Sequence, residues 1–267
     1  MATEAVARPA ATIMLLRDGP DGLEVFMVVR HHAIDFASGA LVFPGGRVED
    51  ADHAVAAEAG LCPNPDGVDA AALAFRVAAI RETFEECGVL LARPTGSATV
   101  VDADRLLGVE QAHRAALNAG TVDFATVLRH HDLLAAPDLL VHFAHWITPS
   151  HQPKRYDTHF FLAAAPPSHL AVHDGSESVD SIWISPNQAL ADTDAGRFKL
   201  VFATQRNLEK LSHSATVAEA MEAARAATVV TVQPKSRKID EKRRHLIIPI
   251  EAGYGASEFI VDLPPAS

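Results

Sequence analysis

The sequence predicts an α/β fold, and three stretches predict it. Two strand-like runs, 10–17 and 23–30, flank the turn Asp18-Gly19-Pro20-Asp21-Gly22. An apolar run from Ala40 to Phe43 leads into Gly45-Gly46 and then towards a long amphipathic helix over 70–87. Strand chemistry returns at 139–147 and 157–165 after an intervening helical region. Strands that alternate with helices in this way predict a sheet with helices packed against it.

In chain order, the first two runs read as a hairpin. Arg30-His31-His32 then enters a loop that runs through Ser38-Gly39. A histidine pair suggests a metal, but neighbouring side chains diverge and no further ligand completes a set, so a solvated loop is the preferred reading. Arg30 precedes the glycine turn, where it either reaches a phosphate or ends a surface strand. Residues 53–65 hold Ala-rich helical sequence broken at Cys62-Pro63-Asn64-Pro65-Asp66-Gly67, and Asp69 is placed to cap the helix 70–87. Helices are expected over 102–117 and 122–135, closed by Pro137, as an insertion packed beside the core, with His130 and His131 on a helix surface. The loop between the two later strands carries Lys154 and Arg155, phosphate readers or a solvated charge pair. A loop over 166–180 precedes the strand Ile182-Trp183-Ile184, and helices are expected after Ser185-Pro186, over 198–211 and over 216–227. The basic runs Lys235-Ser-Arg-Lys238 and Lys242-Arg-Arg-His245 are read as a solvated linker, ahead of a substrate-phosphate arm or a partner contact.

The helix over 70–87 is the informative element. At about 100° per residue, Val77, Ile80, Phe84, Cys87 and Leu91 fall on one stripe, and Glu82, Glu85 and Glu86 lie on roughly the opposite side. Gly88 stands where a C-cap glycine belongs, although Val89-Leu90-Leu91 could extend the helix a turn. Three like charges this close repel one another, and a divalent cation with a taste for hard oxygens turns that liability into a site. For a lone Glu-Glu pair, an ordinary solvated face is the better reading. A strand, a glycine turn that lets backbone approach a ligand, and a carboxylate helix together are the parts needed to grip a metal-bound diphosphate.

The stretch 41–91 resembles the Nudix box, a glycine, five residues, a glutamate, seven residues, then Arg-Glu-U-x-Glu-Glu-x-Gly-U with U aliphatic. Gly46, Arg81, Glu82, Glu85, Glu86, Gly88 and Val89 match it. Asp52 stands where the first glutamate belongs, and Thr83 replaces an aliphatic. The 28 residues 53–80 replace the usual seven, and the excess of 21 is expected to loop out at the surface. Such an interruption costs little, roughly 0.6 kcal/mol per doubling of loop length. The interrupted box resembles the branch of the family that includes peroxisomal coenzyme A diphosphatases. Val42-Phe43-Pro44-Gly45-Gly46, Ala79-Ile80-Arg81-Glu82-Thr83-Phe84-Glu85-Glu86, Trp146-Ile147-Thr148-Pro149 and the stretch Lys154 to Phe161 resemble it too.

The resemblance implies a Nudix-fold α/β/α sandwich around a mixed sheet, with helical insertions. It implies a single domain over 1–267, its core at about 10–100 and 138–213, a helical insertion at about 102–137 and a C-terminal extension at about 214–267. It further implies a metal-dependent pyrophosphohydrolase using Mg²⁺ or Mn²⁺ on coenzyme A or its acyl esters. NADH or ADP-ribose is the alternative substrate, and a non-enzymatic ligand sensor the less favoured one. Glu82 and Glu86 would be the main metal ligands, with Glu85 and the Gly45 carbonyl completing the shell. Arg81 would hold the carboxylates, and Asp52 would orient Arg81 or a water. Glu177, six residues before Trp183, resembles the glutamate that in this family often serves the metal or the water, so the base is either Glu85 or Glu177. The resemblance also favours phosphate recognition by Lys154 and Arg155.

Composition bounds the partners. A formal net charge of −11 argues against a nucleic-acid surface, so an anionic nucleotide must meet a local basic patch. No apolar run reaches 18 residues, and no signal peptide is visible before Pro9. Two cysteines, Cys62 and Cys87, read as core or incidental thiols of a reducing compartment, and the final Pro-Ala-Ser is not a peroxisomal Ser-Lys-Leu address. A cytoplasmic protein that binds a small nucleotide and no membrane is the expectation. A homodimer is left open.

Overall fold

The computed structural model describes residues 5–30, 40–173 and 178–262. The first hairpin pairs β1 (Arg8–Gly19) with β2 (Gly22–Arg30), Leu16 opposite Val25 and Gly19 opposite Gly22. After β2 the chain pairs briefly with it as β3 (Leu41–Val42), then crosses to the start of β1 as β4 (Gly45–Arg47), with Thr12 opposite Gly45 and Ala11 opposite Gly46. This crossing carries the glycine turn to the end of the sheet where the long helix arrives.

Two helices follow, α1 (Asp50–Ala57) and α2 (Ala70–Cys87). Asp69 caps α2 by accepting from Ala72 N–H, and Gly88 ends it at φ 70°, its N–H donating to Phe84 O. A left-handed end of this kind favours glycine, and it stops the helix before Val89. The interruption of the box does not loop out at the surface. It consists of the rest of α1, a connecting segment and the first turns of α2, and it buries Val55, Leu61, Cys62, Leu73 and Ala74 in the main core. Its apolar side chains decide this, because a solvated loop would leave them in water.

The region expected to pack beside the core is part of it as well. After β5 (Ala92–Pro94), α3 (Ala103–Val109) runs through a π-helical segment Glu110–Arg114 into α4 (Ala115–Asn118), and α5 (Phe124–His130) follows. Residues 133–135, expected as helix, form β6 (Leu133–Ala135), which pairs with β5. Leu106, Val109, Phe124, Val127 and Leu128 share the cluster that holds α2.

The sheet is completed by β7 (Val141–Ile147), β8 (Tyr156–Ala164), β9 (Ser178–Ile184) and, after α6 (Pro186–Asp194), α7 (Phe202–Leu211) and α8 (Val217–Ala226), by β10 (Thr231–Val232). Its path is β10-β7-β8-β1-β2-β3, with β4 on β1 and β9 on β2. The β1–β8 and β10–β7 pairs are parallel and the others antiparallel. Alternation along β1 makes the layers. Ala11, Ile13 and Leu15 face the cluster under α2, while Met14 and Leu16 face a second cluster with Leu208, Leu211, Met221 and Ala224. The result is an α/β/α sandwich around a mixed sheet.

The basic tail is not a linker. Lys235–Lys238 and Arg243–Ile247 form β11 and β12 of an antiparallel sheet closed by β13 (Glu258–Asp262). Tyr254, on the loop between β12 and β13, staples this segment to the second core, donating to Asn207 Oδ1 and accepting from Trp146 Nε1, both at 2.8 Å. Among the described residues, no helix is long and apolar enough to cross a membrane.

Candidate active site

The two faces of α2 position the site. Val77, Ile80, Phe84 and Cys87 are fully buried, which orients the helix and turns Glu82 and Glu86 towards the glycine turn. The glycines admit this approach. A Cβ on Gly46 would lie 2.3 Å from Glu82 Oε1, and Gly45, at φ +153°, sits where a Cβ would meet Ala11 O at 2.3 Å. The Gly45 N–H donates to Glu86 Oε2 at 3.2 Å.

Arg81 is the hub. Its Nε and Nη2 donate to the two oxygens of Asp52 at 2.9 Å each, a bidentate pair with both residues buried. Nη1 donates to Glu82 at 2.9 Å and to both oxygens of Glu85 at 3.3 and 3.1 Å, and Nη2 also reaches Arg47 O at 2.9 Å. Asp52 is itself held by α1, whose capping box places Glu49 at the N-cap and lets Glu49 N–H donate to Asp52 Oδ2. The shorter carboxylate therefore reaches Arg81 directly, across the interruption. Thr83 is fully buried where an aliphatic is usual, its hydroxyl satisfied by donating to Ala79 O at 2.6 Å.

The electrostatics leave negative charge in excess. Burial alone would depress the Arg81 guanidinium, but Asp52, Glu82 and Glu85 outweigh it and raise its pKa. Burial, with Glu85 and Asp52 beside it, pushes Glu82 up to about 7 against the pull of Arg81. Burial likewise raises Glu85. Three carboxylates, Asp52, Glu82 and Glu85, thus gather around one guanidinium, and a fourth, Glu86, sits on the glycine turn. An oxygen-rich, under-neutralised donor set of this kind fits a hard divalent cation.

The remaining expected residues are placed less directly. Glu177, like His31 and His32, lies outside the described residues, as does the side chain of Arg30, whose backbone ends β2 beside a bulge in its ladder with β9. Lys154 is exposed. Arg155, the other loop cation, meets backbone carbonyls. It is buried, donating from Nε to Thr148 O at 3.1 Å and from Nη1 to Ala5 O at 2.6 Å, which anchors the loop to the start of the chain. Two supports were not singled out from the sequence. Glu49 was legible as the first residue of Glu49-Asp-Ala-Asp52, a capping pattern. Arg114, donating from Nε to Glu85 O at 3.1 Å, left no local signal, because it arrives from a helix 29 positions away.

Comparison with known proteins agrees with this geometry. Residues 63–201, just over half of the chain, match the NUDT19 Nudix domain family. The chain is similar to an acyl-coenzyme A diphosphatase NUDT19 of Gallus gallus, 31% identical over 216 residues that cover 64% of this chain and 56% of that one. It is similar to the protein of the same name in Homo sapiens, 28% identical over 223 residues, 68% of this chain and 59% of that one. The chain therefore spans little more than half the length of these relatives. Among solved structures, a Nudix hydrolase from Alicyclobacillus acidocaldarius superposes with a TM-score of 0.68 at 26% identity, covering 82% of this chain and 97% of that one.

Proposed function

This chain belongs to the Nudix family, and from that premise we propose that it is a divalent-metal-dependent hydrolase of the diphosphate linkage in coenzyme A or its acyl esters. The observation that carries this is the carboxylate cage, with Glu82 and Glu86 against the glycine turn and Glu82, Glu85 and Asp52 on one guanidinium. Support for the substrate comes from the interrupted box and from the relatives named acyl-coenzyme A diphosphatases.

Glu82 and Glu86 would hold Mg²⁺ or Mn²⁺, with Glu85 and the Gly45 carbonyl beside them. The cation, when bound, neutralises phosphate charge and lowers the pKa of a bound water. Arg81 keeps Glu82 and Glu85 in place, and Asp52 keeps Arg81 in place. Glu85, with its raised pKa, is the favoured base among the described residues, because a more basic carboxylate takes a proton from water more readily. Glu177 remains its rival for that role. Water adds to one phosphorus, the bridging P–O bond breaks, and 3′,5′-ADP leaves with 4′-phosphopantetheine or its acyl form. Lys154 and Arg30 are the proposed readers of the 3′-phosphate. We take the chain as one domain, with a helical insertion at about 102–137 and an extension after about 213, and a reducing cytoplasm suits its two buried cysteines.

A substrate panel with Mg²⁺ and Mn²⁺, products read by mass spectrometry, tests the proposal. Coenzyme A esters should outpace NADH and ADP-ribose, and faster turnover of either nucleotide would replace the substrate assignment. Loss of a charge-assisted contact costs about 1.5–3 kcal/mol. Dephospho-coenzyme A should therefore show kcat/KM lower by roughly 10- to 100-fold. Glu86→Gln should lower kcat by roughly 100-fold while leaving the fold intact, and near-normal turnover would remove α2 from the mechanism.

A further inference from the structure

A second cluster of ligand-type side chains lies on the same sheet and is not used by the reaction above. His145 on β7 stands directly opposite His159 on β8, and Asp157 lies two residues before His159. Alternate strand residues share a face and opposed ones are neighbours, so the three side chains converge. The two imidazoles stack with centroids 4.0 Å apart, and one ligand atom from each of the three residues lies within 4.8 Å of the others. His145 Nε2 is 2.5 Å from Asp157 Oδ1.

The second nitrogen of each ring is already held. His145 Nδ1 pairs with Thr231 Oγ1 at 2.8 Å, and His159 Nδ1 with His142 Nε2 at 3.1 Å. Phe75 of α2 packs on the His159 ring at 4.1 Å. Outer partners of this kind set the tautomer and orientation of metal-binding histidines, here with His145 Nε2 on the carboxylate and the His159 Nε2 left over from the pair with His142. A simple His145–Asp157 ion pair would need neither His159 nor its support by His142. The site is reachable, since the His145 and Asp157 side chains are 16% and 33% exposed.

We propose that His145, Asp157 and His159 form a second metal site, for a borderline divalent ion such as Zn²⁺. Two imidazoles and one carboxylate suit zinc and leave a fourth position open, whereas the all-oxygen cage on α2 suits Mg²⁺. Register places it in one row across the sheet, Thr231, His145, His159, Ala11 and Gly46. At about 4.8 Å per strand, His159 and Gly46 are about 10 Å apart on the sheet face that α2 covers.

Cobalt titration of the metal-stripped protein, with excess Mg²⁺ holding the carboxylate cage, tests this. One equivalent of Co²⁺ should bind with the intense visible absorption of a tetrahedral ion and be displaced by Zn²⁺. Asp157→Asn, isosteric at a partly exposed position, and His159→Gln should each weaken it by at least about tenfold, and Thr231→Val by about tenfold through His145. Glu86→Gln should leave it unchanged. So should His113→Ala, which breaks the other histidine cluster, His113, His130 and His131. A wild-type protein without the band would overturn the site. So would a band that survives Asp157→Asn, whether or not His159→Gln folds, or one lost on His113→Ala.

Discussion

Asp52 and Glu82 carry the energetic tension of the site. Asp52 is fully buried and shares both oxygens with Arg81, so removing its charge takes the bidentate partner from a buried guanidinium. Asp52→Asn should cost about 3–5 kcal/mol in urea unfolding, and a loss within about 0.5 kcal/mol would show that Arg81 is held otherwise. For Glu82 the charged form is the costly one. Burial, with help from neighbouring carboxylates, raises its pKa from 4.5 to about 7. A carboxyl raised on folding favours the folded state while protonated. That contribution is complete below pH 4.5 and lost as pH rises through about 7. The metal-free protein should therefore lose stability over this window, and Mg²⁺ should raise Tm more at pH 8 than at pH 5.5. Equal shifts at the two values would dissociate Glu82 from the cation.

At the scale of elements, the interruption of the box behaves as structure rather than as loop. Leu61 is buried in the main cluster, and its carbonyl accepts from Ala135 N–H at 2.8 Å, tying the segment to β6. Leu61→Ala should destabilise the protein by about 2–5 kcal/mol, measured by denaturant titration, where a surface loop would lose almost nothing. Cys62 beside it gives an independent reading. Burial is the main cause that pushes its thiol up to about 11, with Asp138 adding to it and Arg76 opposing it. Only the thiolate reacts, so alkylation at pH 8 should be about 100-fold slower in the folded protein than in urea. Equal rates would mean that the segment opens freely.

Across the whole molecule, the two faces of the sheet divide the labour. One face carries the carboxylate cage under α2, and the other buries α7, α8 and the C-terminal staple. Tyr254 joins β7 to α7 through Trp146 and Asn207. Tyr254→Phe removes a partner from each and should cost about 1–3 kcal/mol of stability without changing KM, since the staple lies away from the cage. A change in KM at constant stability would instead link the C-terminal sheet to the substrate.

Much of this protein was legible along the chain because its determinants are local. The hairpin followed from alternation around a Pro-Asp turn, the ends of α2 from Asp69 and Gly88, and the carboxylate face from helical spacing. The choice between surface and core was not local. The same apolar residues, Val55 and Leu61 or Phe124 and Leu128, suit either a satellite helix or a shared core, and only the packing of α1 against α2, and of α5 against α1, decided it. Arg155 shows the same limit, since a cation in a loop reads alike whether it meets a phosphate or two backbone carbonyls. Only the tertiary structure brought Asp52 to Arg81 across 28 residues and His145 to Asp157 and His159, because such contacts depend on strand register and helix packing rather than on spacing in the chain.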